Sequence, residues 1–219
     1  MLKLAATMAL SVGIALADTA AERLTAASTV ISDIMATSDK GIPQDLLDKA
    51  ECIVIVPGLK RGAFIVGAKF GRGYFSCRSG RTGWSAPAAI RVEGGSVGFQ
   101  IGGSETDVVM LVLNRTGADK LLRSKFTVGG DATVAAGPVG RSSTAQTDAM
   151  MRAEILSWSR SRGAFAGIAL DGATLRPDLE ANNELYGKEI TNKEIIEGAA
   201  PPAAASGLLA TLNKYSSRK

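Results

Sequence analysis

Seven cations fall between positions 60 and 91: Lys60, Arg61, Lys69, Arg72, Arg78, Arg81 and Arg91. Glu93 is the only acid between them and Glu105. Clustered guanidinium and ammonium groups hold phosphate oxygens through charge-assisted hydrogen bonds. Lys60, Arg61, Lys69, Arg72, Arg78 and Arg81 are therefore the candidate anion-binding set. The same charges could equally be solvated turn residues that keep sheet edges from pairing with other chains. Covalent chemistry has less support. The chain has no histidine, which excludes Ser-His and Cys-His nucleophiles and histidine-bound metals. The carboxylates Asp107, Asp131, Asp148 and Asp171 have no spacing that pairs them into a general acid and base. Neither an enzyme nor a cofactor is expected, and no nucleic-acid partner.

The elements that must position these cations read as strands. From Gly62 to Gly103, short runs rich in Val, Ile and Phe alternate with glycines, each run too short for a helix. Glycine inside a strand pattern marks a bulge, a bend or a close backbone approach. The expected class is α+β: a strongly curved, glycine-rich antiparallel or barrel-like sheet, covered by N- and C-terminal helices. If its strands form meanders, several basic turns share one end of the sheet.

Upstream, positions 18–40 predict a helix. Thr19 and Glu22 make a capping box, and Leu24, Ala27, Ile31, Ile34 and Met35 give it one apolar face. Pro43 suits the first turn of a second helix with Leu46 and Leu47 inward. Cys52 to Val56 then predicts a buried strand, ended by Pro57-Gly58. Trp84 is expected to fill core space with its N–H hydrogen-bonded. Asp107 to Leu113 is another strand, followed by a short helix capped by Thr116 and Asp119. Ile155 to Leu170 predicts a hairpin turning near Arg162-Gly163. A helix follows Pro177-Asp178, and Thr191 with Glu194 caps another.

The same residues carry a resemblance. Gly62-Ala63-Phe64-Ile65-Val66-Gly67, Gly71-Arg72-Gly73 and Trp84-Ser85-Ala86-Pro87 resemble the SYLF domain family. So do Gly129-Gly130-Asp131-Ala132, the segment Ser157 to Gly167, and Asn182-Asn183 with Tyr186-Gly187. The likeness runs in order over roughly residues 24 to 198. It implies lipid binding, and in some eukaryotic members actin binding.

The ends of the chain complete the expectation. Met1-Leu2-Lys3, the uncharged residues 4–17 and Ala15-Leu16-Ala17 read as a secretory signal peptide over 1–17. A SYLF-like domain then covers 18–198, and an Ala/Pro-containing tail 199–219. The expected location is periplasmic or secreted, which makes actin an implausible partner. Cys52 and Cys77 are either a disulfide or two small buried hydrophobes. With a formal charge of +4, the reading is an exported lipid-binding module. It associates peripherally with anionic phospholipid at a membrane surface through basic turns. The alternative is an envelope structural or adaptor module with a protein partner. Oligomeric state is left open.

Overall fold

The computed structural model describes residues 18–36, 41–80, 83–138, 152–161, 164–167, 170 and 172–216. Side chains of 63–66, 96–103, 161, 164, 165 and 167 lie outside that description, as do the leader-like residues 1–17.

Helix α1 (Ala20–Ala36) forms where the spacing predicts it, with Leu24, Ala27, Ile31 and Ile34 buried. Its capping box closes: the Thr19 amide donates to Glu22 Oε2 at 2.8 Å, and the Glu22 amide to Thr19 Oγ1 at 3.2 Å. Those bonds hold the Glu22 carboxyl below the usual range. The short α2 (Gln44–Lys49) begins after Pro43 and buries Leu46 and Leu47.

The sheet differs from a set of short strands joined by turns. β1 runs without interruption from Cys52 to Ser79 and pairs antiparallel with β3 (Ala88–Val112) along most of its length. Pro57-Gly58 does not end it; the register slips there, between Val56 and Leu59, and again between Ala63 and Ile65. Bulges bend a ribbon without breaking it. Glycine is required where the two arms of β1 then meet. A β-carbon at Gly73 would lie 2.1 Å from the Ile55 carbonyl oxygen, and one at Gly71 would lie 2.8 Å from Leu59 Cδ1. β1 thus crosses itself, and a disulfide joins Cys52 to Cys77 at its ends. Beside that bond the Arg78 amide donates to the Glu51 carbonyl at 2.8 Å.

The remaining strands extend this curl into an eight-stranded, half-barrel sheet. β2 (Gly83–Trp84) pairs with the end of β1. β4 (Phe126–Thr127) pairs with β8 (Thr174–Pro177), which pairs with β3. β5 (Val134–Ala136) runs parallel to β6 (Ile155–Ser161). β6 lies antiparallel to β3 and to β7 (Ala164–Gly167), which is the expected hairpin. Its turn residues Arg162 and Gly163 lie outside the described residues.

Alternation along β1 and β3 feeds two cores. Val54, Val56, Phe75, Ile90, Val92 and Met110 line the inside of the curl with Phe126 and Leu175. Ile53, Ile55, Tyr74, Val109 and Leu111 face outward, with Trp158 beside them, onto Leu24, Ile31 and Ile34 of α1. Each such aliphatic side chain contributes about 1.5–3 kcal/mol.

The short helix α3 (Arg115–Leu121) is capped by Asn114, whose side chain accepts the Gly117 amide at 2.7 Å, and not by Thr116 and Asp119. Helix α4 (Leu179–Tyr186) starts at the Asp178 cap, and α5 (Asn192–Gly198) carries the predicted Thr191–Glu194 capping box. Residues read as a tail are structured as far as Ser216. A 3-10 turn (Ala203–Ala205) leads into α6 (Ser206–Tyr215), whose Leu208 and Leu212 are buried against α1. Among the described residues no single helix is long and apolar enough to cross a membrane.

Candidate functional site

The crossing of β1 places residues from its outgoing and returning arms at one cleft of about 400 Å³. Pro57, Gly58 and Lys60 line it from the first arm, Phe70, Gly71 and Arg72 from the second. Arg23 of α1 adds a third cation, and three acids line the same cleft: Asp18 before α1, and Glu105 and Asp107 of β3. Of the sequence candidates, Lys60 and Arg72 therefore share a site. Arg61 and Lys69 are their half-buried chain neighbours, and Arg61 Nε is enclosed without a hydrogen-bond partner.

Arg72 is anchored. Its Nε lies 3.3 Å from Asp178 Oδ2 and its Nη2 3.5 Å from Glu180 Oε2. Asp178 is buried at the head of α4, so Arg72 ties the cleft to that helix. Asp107 is also committed. It accepts from the Gly58 amide at 3.0 Å and from Arg160 at 2.8–2.9 Å. Arg160 continues to Asp33 on α1. Burial pulls its pKa down, but the hydrogen bonds to Asp33 and Asp107 outweigh that and raise it.

Arg78 stands apart. Its guanidinium lies 3.9 Å over the Trp84 ring and donates to the carbonyls of Ala50 at 3.1 Å, Leu47 at 3.0 Å and Ser216 at 2.6 Å. This arginine clamps α2 and the end of α6 to the sheet. Trp84 is buried as expected, but its Nε1 has no hydrogen-bond partner and the arginine stacks on the ring instead. Arg81 lies outside the described residues.

Two features of the site escaped sequence reading. Phe70, between Lys69 and Arg72, is 48% exposed, and Leu179, between the two acids that hold Arg72, is 50% exposed. They are the exposed large hydrophobic side chains among the described residues. The spacing K-F-x-R at 69–72 was the available signal; nothing local links it to Leu179. Behind the cleft, Tyr74 donates to the Ala20 carbonyl at 2.6 Å, and burial pushes its hydroxyl up to about 12. No group of three or more His, Cys, Asp or Glu suited to a metal occurs among the described residues.

A family model described as "Ysc84: Las17-binding protein actin regulator" matches residues 93–215, more than half of the chain. The chain belongs to the Ysc84 family. The SYLF domain resemblance and the Ysc84 match are one finding. SH3 domain-containing protein PJ696.02 of Schizosaccharomyces pombe is 37% identical over 176 residues, covering 78% of this chain and 41% of the relative. SH3 domain-containing YSC84-like protein 1 of Rattus norvegicus is 34% identical over 182 residues, covering 82% and 53%. LAS seventeen-binding protein 3 of Saccharomyces cerevisiae is 36% identical over 181 residues, covering 80% and 39%. The chain thus spans about half or less of these Ysc84 relatives.

They correct the expected location. The relatives are yeast and mammalian proteins named for SH3 domains and Las17 binding, in a family described as an actin regulator. A periplasmic or secreted location is not supported.

Proposed function

We propose that the chain is a non-catalytic binding module of the Ysc84 family that associates peripherally with anionic phospholipid at the crossing of β1. The observation that carries this reading is Phe70. A strand residue of this size is ordinarily inward, yet it is 48% exposed beside a cleft lined by Lys60, Arg72 and Arg23. An aromatic ring among cations suits a membrane interface. The ring reaches the acyl boundary while the charges attract phosphate, each worth about 1 kcal/mol near an anionic surface. Lys60, Arg61, Lys69 and Arg72 are the residues assigned to this contact. Glu105 opposes them across the strand pair. Asp107 opposes them less, since Arg160 already balances it. Arg78 supports the fold, and Arg81 stays in the proposed set on its sequence position alone.

The test is co-sedimentation of the full chain with phosphatidylserine-containing and pure phosphatidylcholine vesicles at low and high salt. Binding to the anionic vesicles is expected, weakened by salt, and weakened about tenfold or more by Lys60→Glu with Lys69→Glu. Phe70→Ser weakens it without changing the salt slope. Equal binding to neutral vesicles, or no loss in the charge-reversed variant, overturns the reading.

A second reading is an adaptor that binds a protein of the actin machinery. The family description and the relatives' names favour it. Sedimentation with actin filaments in the absence of vesicles, without effect of Phe70→Ser, would select it.

A further inference from the structure

The two cysteines do more than fill space. Cys52 opens β1 and Cys77 nearly closes it, and their bond fastens the strand where it returns on itself. Both line a second cleft, of about 330 Å³, whose lining shares no residue with the Phe70 cleft. Its other walls include Arg78, Arg115, Asp119 and Glu197. Cys52 is fully enclosed, whereas Cys77 is 7% exposed. Of the two, Cys77 keeps the greater exposure and is the nearer target for a small molecule in that cleft.

We propose that Cys52–Cys77 is a thiol–disulfide exchange site, worked by a low-molecular-weight thiol that enters this cleft and unfastens the ends of β1. The thiolate of the small molecule attacks Cys77 Sγ, forming a mixed disulfide and expelling Cys52 as a thiolate. A second small thiolate attacks the outer sulfur of that mixed disulfide and expels Cys77. One protein disulfide is reduced to two thiols, and two small thiols are oxidised to one disulfide. The two protons they release reprotonate the cysteines. Arg115 adds positive charge on this wall, which draws an anionic thiol locally, while Asp119, 3.8 Å away, and Glu51 and Glu197 of the same lining oppose it.

Reduction removes the covalent clasp and leaves the Arg78 amide on the Glu51 carbonyl at 2.8 Å to hold the crossing, with the Ser85 amide on the Cys77 carbonyl at 2.8 Å bracing the returning arm beside it. The switch thus acts on the curl that positions both arms of the Phe70 cleft. It does not depend on what that cleft binds.

The test uses the full chain, air-oxidised, in native buffer with reduced glutathione. Thiols are trapped with a maleimide and counted by mass. Both labels are expected together, in folded protein, with faster hydrogen exchange at the Arg78 and Ser85 amides. Arg115→Glu should slow reduction by anionic glutathione about threefold while leaving reduction by neutral dithiothreitol unchanged. Labels that appear only after denaturant is added would show a sealed structural disulfide and overturn the proposal. So would labelling with unchanged exchange at those amides, or two free thiols in the air-oxidised chain. None of these outcomes bears on vesicle binding, so the two proposals fail separately.

Discussion

Gly73→Ala places the heaviest demand on the crossing of β1. The added β-carbon would sit 2.1 Å from the Ile55 carbonyl oxygen, 2.8 Å from Val56 Cα and 3.0 Å from the Ile55 carbonyl carbon. All three are backbone atoms of the opposite arm, so no side chain can rotate away. Ordinary contact begins near 3.4 Å, and the arms must separate by roughly an ångström to accept the methyl group. Overpacking of this kind costs about 1–3 kcal/mol, with a backbone clash at the upper end. Stiffening of the unfolded chain returns about 0.4–1 kcal/mol. The net expectation is a loss of about 2 kcal/mol, or about 4–8 °C in Tm for a chain of this size.

Gly71→Ala and Gly62→Ala complete the series. At Gly71 the nearest atoms are the ends of the Leu59 and Val56 side chains, at 2.8 and 2.9 Å, which can give; a smaller loss follows. At Gly62 nothing lies within 4 Å, and the change should stay within about 0.5 kcal/mol. Thermal and urea unfolding followed by circular dichroism would rank the three. A Gly73→Ala protein as stable as Gly62→Ala would refute the idea that β1 closes on its own backbone.

Other outcomes follow from the same structure. Closing a loop between residues 25 apart stabilises by about 3.5 kcal/mol in the chain-entropy treatment, so Cys52→Ser with Cys77→Ser should lower the urea midpoint accordingly. Arg160→Met should cost about 2 kcal/mol by leaving Asp107 half-buried without its guanidinium, and adding Asp107→Asn should recover part of it in a double-mutant cycle. The Tyr74 hydroxyl titrates near 12 in the folded chain, above its ordinary 10. A raised folded value means its contribution is full below about pH 10 and is lost as pH rises through about 12, on the order of 2 kcal/mol. Ultraviolet difference titration with parallel unfolding would show that window, and Tyr74→Phe should remove it.

Short-range physics was legible in the sequence. The apolar face of α1 could be read from Leu24, Ala27, Ile31 and Ile34, because helical periodicity needs only neighbours three and four apart. The capping boxes at Thr19–Glu22 and Thr191–Glu194 were visible for the same reason. So were the strand character of the Val- and Ile-rich runs and the general expectation of a curled sheet. Tertiary structure decided the rest. Pro57-Gly58 carries the signature of a strand end, yet pairing with β3 resumes at Leu59 and outweighs the local turn preference. Arg78 and Arg72 sit in similar sequence surroundings. One is consumed by carbonyls of α2 and the chain's end, and the other reaches the Phe70 cleft. The Ala/Pro composition after Gly198 suggests a loose tail, but Leu208 and Leu212 find apolar surface on α1, which only the folded chain supplies. Sequence alone determined the local elements such as α1 and the capped helix at Thr191, since propensities and caps act over a few residues. Which elements meet, and therefore which cations share a cleft, was decided by the curl of β1 and the contacts it makes across tens of residues.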